Sequence, residues 1–314
     1  MAAMTQNNIH TILSPRQEEV LRQVLPIAKI ATGGTVANLP VRPRTHTLIA
    51  GPSGSGKSHI ARETGRLLGI PAMIINVSSW VVLSARNEPW TFSEICSWLD
   101  SIGAGGGILV LDEIDKLGGG GDSSWLGHIT LEIHDLLDGV IPLAARLPGQ
   151  PDNEPWECAC ASATDNQTRA MLSARLGNHV FIFGCGAWQA AWEGMARRRI
   201  GFGGDAPDTG LPCPKQIIET IKPELRQRFR DQICWLSPMT GEDYRTVSGR
   251  IAAALPDPRM REVWDRLSAP MIRRAVDGGL GMRVFEELML AALLESPGQP
   301  VQPPRMRASF PPLI

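Results

Sequence analysis

The sequence predicts an α/β fold with a parallel sheet, followed by a small all-α domain. Short apolar runs alternate with helical patterns from Thr45 onward, as expected for a parallel sheet covered by helices. A glycine-rich loop directly follows the first apolar run, and two carboxylates directly follow a later one. After Thr240 the strand-like runs stop and helical spacing alone continues.

The first predicted element is a helix near the N-terminus. Ser14 is a good helix cap and Pro15 suits the first helical position, so the helix should begin here and run to about Ala31. Gly33-Gly34 is expected to end it, and residues 33–46 read as a linker.

Apolar runs bounded by turn residues predict the strands, and helical spacing predicts the C-terminal helices. The predicted strands are residues 47–50, 72–76, 107–111, 180–184 and a fifth near 233–236. The predicted C-terminal helices are residues 241–254, 258–276 and 281–296. Two short apolar stretches, Val140–Leu143 and Trp156–Ala159, form a candidate hairpin.

These elements divide the chain into four predicted parts. They are an N-terminal helix and linker (1–44), a large α/β domain (45–240), a small helical domain (241–296) and a proline-rich tail (297–314).

A phosphate-binding loop is predicted between the first strand and the next helix, where the chain fits G-x-x-x-x-G-K-[ST] without a gap. In that context the loop N–H groups and the helix N-terminus face phosphate oxygens. Lys57 would reach the β- and γ-phosphates of ATP, and Ser58 would hold Mg²⁺. The residues predicted to bind nucleotide here are Gly51, Pro52, Ser53, Gly54, Ser55, Gly56, Lys57, Ser58 and His59.

Two carboxylates emerge from the apolar run Ile108–Leu111. Ligands of open α/β sheets bind at the carboxyl ends of the strands, so Asp112 and Glu113 are placed to act on a bound nucleotide. Asp112 is predicted to contact the water shell of Mg²⁺, and Glu113 to orient or deprotonate the attacking water. Together the two motifs predict ATP hydrolysis.

The segment Leu111–Leu117 resembles the acidic motif of AAA+ ATPases, especially ClpX-type protein unfoldases. The resemblance continues in order over about residues 14–296 and is strongest at 47–70, 108–117 and 181–188. It implies an AAA+ P-loop NTPase domain with a small all-α lid domain, a homo-hexameric ring and a protein substrate.

The strand and turn at Val180–Trp188 look like the first sensor of that family, with a departure from its pattern. The usual polar Asn or Thr is absent, and Gly184, Cys185 and Gly186 occupy the turn. ClpX-type proteins are also rich in glycine here, so the resemblance holds but the sensing residue stays undefined.

Two arginines match further motifs of the family. Pro223–Phe229 is similar to the segment carrying the arginine finger, which implies that Arg228 reaches the nucleotide of a neighbouring subunit. Arg226 and Arg230 are nearby alternatives for that role. Arg283 resembles the second sensor, which touches the γ-phosphate from the small domain. A plain surface position is the alternative for each.

Three segments bear on what such a motor would act upon. Trp90 matches the aromatic of the family's pore loop, although Phe92 replaces the usual glycine and a core position for Trp90 stays open. Gly118–Gly121 would form a second flexible loop. Ile200-Gly201-Phe202 matches the tripeptide that docks into a ClpP-type peptidase, but it could equally pack within the protein or meet another partner.

Composition limits the expected partners and the expected compartment of the protein. The formal net charge of −1 disfavours nucleic acid as the main partner, and no apolar stretch is long enough to span a bilayer, so a cytoplasmic protein is expected. The six cysteines include no C-x-x-C pair and none before Cys96, which predicts that the family's N-terminal zinc-binding domain is missing.

Three hypotheses for the output remain after sequence analysis. The first is a protein-remodelling motor, supported by Trp90, the glycine loop and the Ile200-Gly201-Phe202 string. The second is a nucleic-acid-linked regulator, such as one for transposition or helicase loading. The third is a switch whose ring assembles with ATP and recruits a partner without threading it.

Overall fold

The protein is built around a parallel sheet with the strand order β2-β3-β4-β1-β5. The strands are β1 (Thr47–Ala50), β2 (Ala72–Asn76), β3 (Gly107–Asp112), β4 (Val180–Gly186) and β5 (Cys234–Trp235). These data come from a computed structural model that describes residues 12–84, 90–103, 105–118, 124–143, 145–150, 163–189, 217, 221 and 223–295. The predicted fold class is confirmed, and each predicted strand is present.

Helices lie before, between and after the strands. The N-terminal helix is α1 (Pro15–Thr32), and those of the large domain are α2 (Lys57–Leu68), α3 (Val77–Ser84), α4 (Trp90–Ser101), α5 (Ser124–Asp138), α6 (Ala163–His179) and α7 (Pro223–Arg226). Those of the small domain are α8 (Gly241–Ala254), α9 (Pro258–Gly278) and α10 (Arg283–Glu295). Short 3₁₀ turns occupy Thr35–Asn38 and Ile114–Gly118.

Successive residues of a strand point to opposite sides of the sheet, and apolar residues cover both sides. In β3, Ile108 and Val110 join the apolar cluster that contains residues of α1 and α2. Leu109 and Leu111 join the opposite cluster, which contains residues of α3 to α6. The sheet is therefore held rigidly, with its carboxyl edge fixed in position.

Helix α1 begins with a capping box. The Ser14 hydroxyl accepts from the Gln17 N–H, and the Gln17 side chain accepts from the Ser14 N–H. Along the helix, Val20, Val24 and Ala28 are buried in the same cluster as β1 and α2. Helix α1 is thus packed onto the sheet of the large domain.

The small domain has its own apolar core. Tyr244, Trp264 and Phe285 lie at its centre, one from each of the three helices. The Trp264 ring stacks on Phe285 with centroids 6.3 Å apart, and its indole N–H donates to the Ser248 hydroxyl at 3.0 Å.

The first half of the candidate hairpin is not a strand. In Val140–Leu143, the Ile141 N–H donates to the Ser173 hydroxyl at 3.2 Å, and the Arg169 guanidinium donates to the Pro142 carbonyl. Side chains of α6 therefore satisfy backbone groups that a partner strand would otherwise bind. Trp156–Ala159 lies outside the described residues.

Candidate nucleotide-binding site

The predicted phosphate loop joins the end of β1 to the start of α2. Its backbone is left-handed at Gly54 (φ 75°) and Gly56 (φ 88°), a conformation that glycine adopts at little cost. The Lys57 ammonium folds back over the loop and donates to the carbonyl oxygens of Gly51 (2.8 Å) and Pro52 (3.0 Å). Burial lowers the pKa of Lys57 from its usual value. The lysine thus lies at the centre of the loop.

Ser58 and Asp112 meet across the site. The Ser58 hydroxyl, in the first turn of α2, donates to Asp112 Oδ2 at the end of β3 over 2.5 Å. A hydroxyl and a carboxylate oxygen are the kinds of ligand that Mg²⁺ takes alongside phosphates and water. The two residues therefore fit the magnesium ion of a nucleotide complex, which would supply positive charge beside the phosphates.

Glu113 follows Asp112 in an uncommon backbone conformation. Its φ is 60°, a region that non-glycine residues rarely occupy and one often found at functional sites. Its Oε2 atom accepts from the Ser78 hydroxyl at 2.8 Å. The backbone N–H of Ser78 in turn donates to Asn76 Oδ1 at 2.8 Å. The first turn of α3 therefore holds the predicted catalytic carboxylate in place.

A cavity of about 1020 Å³ lies over this edge of the sheet, which is ample for a nucleotide. Its polar lining includes Lys57, Ser58, His59, Asp112, Glu113, Asp115 and Lys116. Its apolar lining includes Ile12, Met282, Phe285, Met289, Leu290 and Leu293. A lining of both kinds suits a ligand that carries charged phosphates and an apolar base.

The small domain closes over the phosphate loop. The Met282 N–H donates to the Gly54 carbonyl at 2.9 Å, and the Gly281 N–H donates to the Tyr244 hydroxyl at 2.9 Å. Arg283, at the first position of α10, lines the cavity from this side. The structure therefore brings Arg283 to the same cavity as Lys57 and Glu113.

The turn after β4 forms another wall of the cavity. Cys185 is fully buried, and burial together with the Asp112 carboxylate raises the pKa of its thiol well above the usual range. The thiol is therefore neutral. Beyond the strand, Gly186, Ala187 and Gln189 line the cavity. Gln189 is a polar residue that lies just beyond the turn Gly184–Gly186, where the first sensor was left undefined.

Arg228 lies away from this cavity. Its Nε atom is 2.9 Å from each carboxylate oxygen of Asp138, and its Nη2 atom is 2.7 Å from Oδ2. Its Nη1 atom also donates to the Glu224 carbonyl at 2.7 Å. The arginine is thus paired within its own chain and is not among the residues around the nucleotide cavity.

Sequence reasoning missed two residues of the candidate site. Ser78 and Gln189 carry no motif, but both follow a strand at the carboxyl edge where ligands bind, and that position is the signal for them. In contrast, the side chain of Trp90, most of Gly118–Gly121 and all of Ile200-Gly201-Phe202 lie outside the described residues.

The fold and the site together define a class of protein. A parallel sheet with a phosphate loop after β1 and paired carboxylates after β3 is the arrangement of a P-loop nucleotide hydrolase. Comparison with protein families agrees, since residues 47–138 match the family described as "ATPase family associated with various cellular activities (AAA)". The chain contains an AAA ATPase domain, which implies an ATP-driven activity. Among the described residues, no helix combines the length and apolar character that crossing a membrane requires.

Proposed function

We propose that this protein is a Mg²⁺-dependent ATPase that assembles into a homo-hexameric ring in the cytoplasm and remodels or unfolds a protein partner. The observation that carries the hydrolytic part is the meeting of Lys57, the Ser58–Asp112 pair and Glu113 around one cavity. ATP would lie between the large domain (45–240) and the small domain (241–296).

Three residues of the cavity have chemical roles in this proposal. Lys57 would exchange the carbonyls of its own loop for phosphate oxygens, and Arg283 would meet the γ-phosphate from the small domain. Glu113 would orient the attacking water and accept its proton. Because the Ser78 hydroxyl donates to Glu113, this hydrogen bond must break or shift when the carboxylate turns toward the water.

The ring part of the proposal is supported by Arg228. This arginine lies outside the cavity of its own chain, so any contact with a nucleotide phosphate would have to be made with a neighbouring copy. A guanidinium suits that role because it is always charged and binds phosphate oxygens in a forked geometry.

The remodelling part is supported by the sequence. We propose that Trp90 grips an extended protein segment in the pore, with Gly118–Gly121 as a second pore loop. A ClpP-like peptidase that binds Ile200-Gly201-Phe202 is a further proposed partner.

The test uses Glu113→Gln. The variant should still bind ATP, because the amide preserves the shape of the side chain, but its turnover should fall by about 10²–10⁴-fold, since the amide cannot take up a proton. ATP hydrolysis and ATP affinity are measured on the same preparation. Glu262→Gln, an exposed glutamate on α9, is the matched control and should behave as the wild type. Normal turnover by Glu113→Gln would remove Glu113 from the mechanism.

The same variant distinguishes the three hypotheses for what the ATPase acts upon. It would be trapped with ATP in a lysate of the native host, and its ring size and co-purifying molecules determined. An unfolded or partly threaded protein in the ring supports remodelling. Recovered nucleic acid that is sensitive to nuclease and salt would favour a nucleic-acid-linked regulator instead. A ring with neither would favour an assembly switch.

A further inference from the structure

We propose that Gln17 positions the phosphate loop and that the first turn of α1 connects this loop to the small domain. The proposal rests on the nucleotide site described above, but it concerns an N-terminal helix that no motif assigns to that site. Gln17 is 1% exposed, although glutamine is usually a surface residue.

The side-chain amide of Gln17 holds two segments at once. Its Oε1 atom accepts from the Ser14 N–H at 2.8 Å, which caps α1. Its Nε2 atom donates to the carbonyl oxygen of Ser55, inside the phosphate loop, at 2.9 Å. Only a side chain with both an acceptor and a donor can make this pair of bonds.

The amide also fills the space beside the loop. A Cβ atom on Gly56 would lie 2.1 Å from Gln17 Nε2, so the close approach depends on glycine at that position. Gln17 itself lines the cavity together with Lys57 and Ser58. The loop therefore has a buried side chain as a support at Ser55 and Gly56.

The residues on either side of Gln17 bind the small domain. Arg16 Nε lies 2.8 Å from Asp243 Oδ2, and Glu18 Oε1 lies 2.5 Å from Arg250 Nη1. Arg250 Nη1 also donates to the Leu13 carbonyl at 2.6 Å. Arg16 and Glu18 thus contact the small domain, and Gln17 between them contacts the phosphate loop.

This arrangement makes α1 a mechanical link. A movement of the small domain would carry the ends of Arg16 and Glu18 with it and would shift Gln17 against the loop. Nucleotide binding, which orders the loop, would in turn favour one position of the small domain, since coupling between two sites is reciprocal.

The experiment measures the affinity for ADP with Mg²⁺ by isothermal titration calorimetry. Gln17→Glu should weaken ADP binding at least tenfold, because its carboxylate faces the Ser55 carbonyl and adds negative charge near the phosphates. Gln17→Met, of similar size, should weaken it about three- to tenfold through the loss of both hydrogen bonds. Gln23→Glu and Gln23→Met, on the exposed side of the same helix, are matched controls and should bind as the wild type.

A purely structural role for Gln17 predicts a different pattern. It would lower the melting temperature without ligand but leave ADP affinity unchanged in protein that is still folded, and that result would overturn the proposal. Equal weakening by the Gln23 variants would also overturn it. Failure of the wild type to bind ADP would instead contradict the proposed nucleotide site.

Two further variants keep the test valid if Gln17 variants do not fold. Arg16→Met and Arg250→Met remove partly exposed side chains that do not line the cavity. Each of these variants should weaken ADP binding about two- to fivefold. When Gln17→Met is combined with either of them, it should weaken binding by a smaller factor than it does alone, because the effects of linked residues are not additive. Arg22→Met, which removes an exposed arginine of α1, is the control. Unchanged ADP affinity in Arg16→Met and Arg250→Met would rule out the link.

Discussion

The nucleotide cavity and the surface around Arg228 differ in how many of the contacts expected for their proposed roles are already formed within one chain. In the cavity, Ser58 already meets Asp112, and Lys57 lies where phosphates are expected. At the other surface, the arginine proposed to act on a neighbouring subunit is bound by Asp138 of its own chain. The comparison suggests that a single chain is built to bind nucleotide but must rearrange a charge pair before it can act on another copy.

The Arg228 surface is crowded with ionisable groups. Asp138 faces Arg228, and the charges of both act on the neighbouring His134. On the inner side His46 is buried, with its Nε2 atom 3.1 Å from the Leu137 carbonyl. Changes here should therefore affect assembly and stability, whereas changes in the cavity should affect binding and chemistry.

The largest expected effect comes from Arg228→Ala. Loss of an arginine that acts in trans costs on the order of 10³–10⁵ in turnover, because it stabilises charge that develops on the transferred phosphoryl group. The ADP affinity of the single chain should stay unchanged. ATP hydrolysis is measured at protein concentrations where size-exclusion chromatography shows the ring.

Arg226→Ala, from the exposed end of α7, is the companion variant and should keep its turnover. A ring of Arg228→Ala that hydrolyses ATP at the normal rate would contradict the assignment. Loss of turnover in Arg226→Ala alone would move the role to that residue.

His46→Gln should change how stability depends on pH. Burial, with the nearby Arg42 charge, lowers the pKa of His46 to about 4. Above pH 6.5 both folded and unfolded chains carry a neutral histidine. Between pH 6.5 and 4 only the unfolded chain takes up the proton, so His46 should reduce the free energy of unfolding by up to about 3 kcal/mol.

The variant removes this titration but keeps a donor for the Leu137 carbonyl. The free energy of unfolding is measured in urea at pH 7.5, 6 and 5. It should fall less with decreasing pH for His46→Gln than for the wild type. Parallel curves for the two proteins would show that His46 is not held neutral.

Asp138→Asn is expected to have the smallest effect. Partly exposed ion pairs contribute about 1 kcal/mol or less, so the melting temperature should hardly change. Because Arg228 would no longer have to leave a carboxylate, full ring turnover should be reached at a severalfold lower protein concentration. A requirement for more protein would mean that Asp138 supports assembly instead of opposing it.

Sequence reasoning predicted the elements that depend on local patterns. The strands follow from apolar runs buried on both faces, and the phosphate loop from its spacing, as Ile108–Asp112 and Gly51–Ser58 show. The N-terminal cap of α1 was also predictable from the sequence, since Ser14 precedes the helix at the predicted position.

The remaining features depend on contacts between segments that are distant in the chain. Gln17 meets Ser55, and Ser78 meets Glu113, only after the sheet has formed. Neither pair has a local signature that composition or periodicity could reveal. The pairing of Arg228 with Asp138 is likewise a tertiary contact, and the sequence alone placed Arg228 without its partner.

The strand order also governs how the chain can fold during synthesis. Within the part of the chain that the structure describes, strand β1 pairs with β4 and β5, with Thr47 opposite Phe183 and Ile49 opposite Cys234. The phosphate loop therefore follows an unpaired strand until β4 has left the ribosome, a wait of roughly 7–27 seconds at about 5–20 residues per second. During that interval β1 lacks a neighbouring strand, whereas β3 can already pair with β2. Long-range pairing of the kind that β1 needs is slow and prone to aggregation. We expect a slow refolding phase in which ATP binding appears only after the sheet is complete.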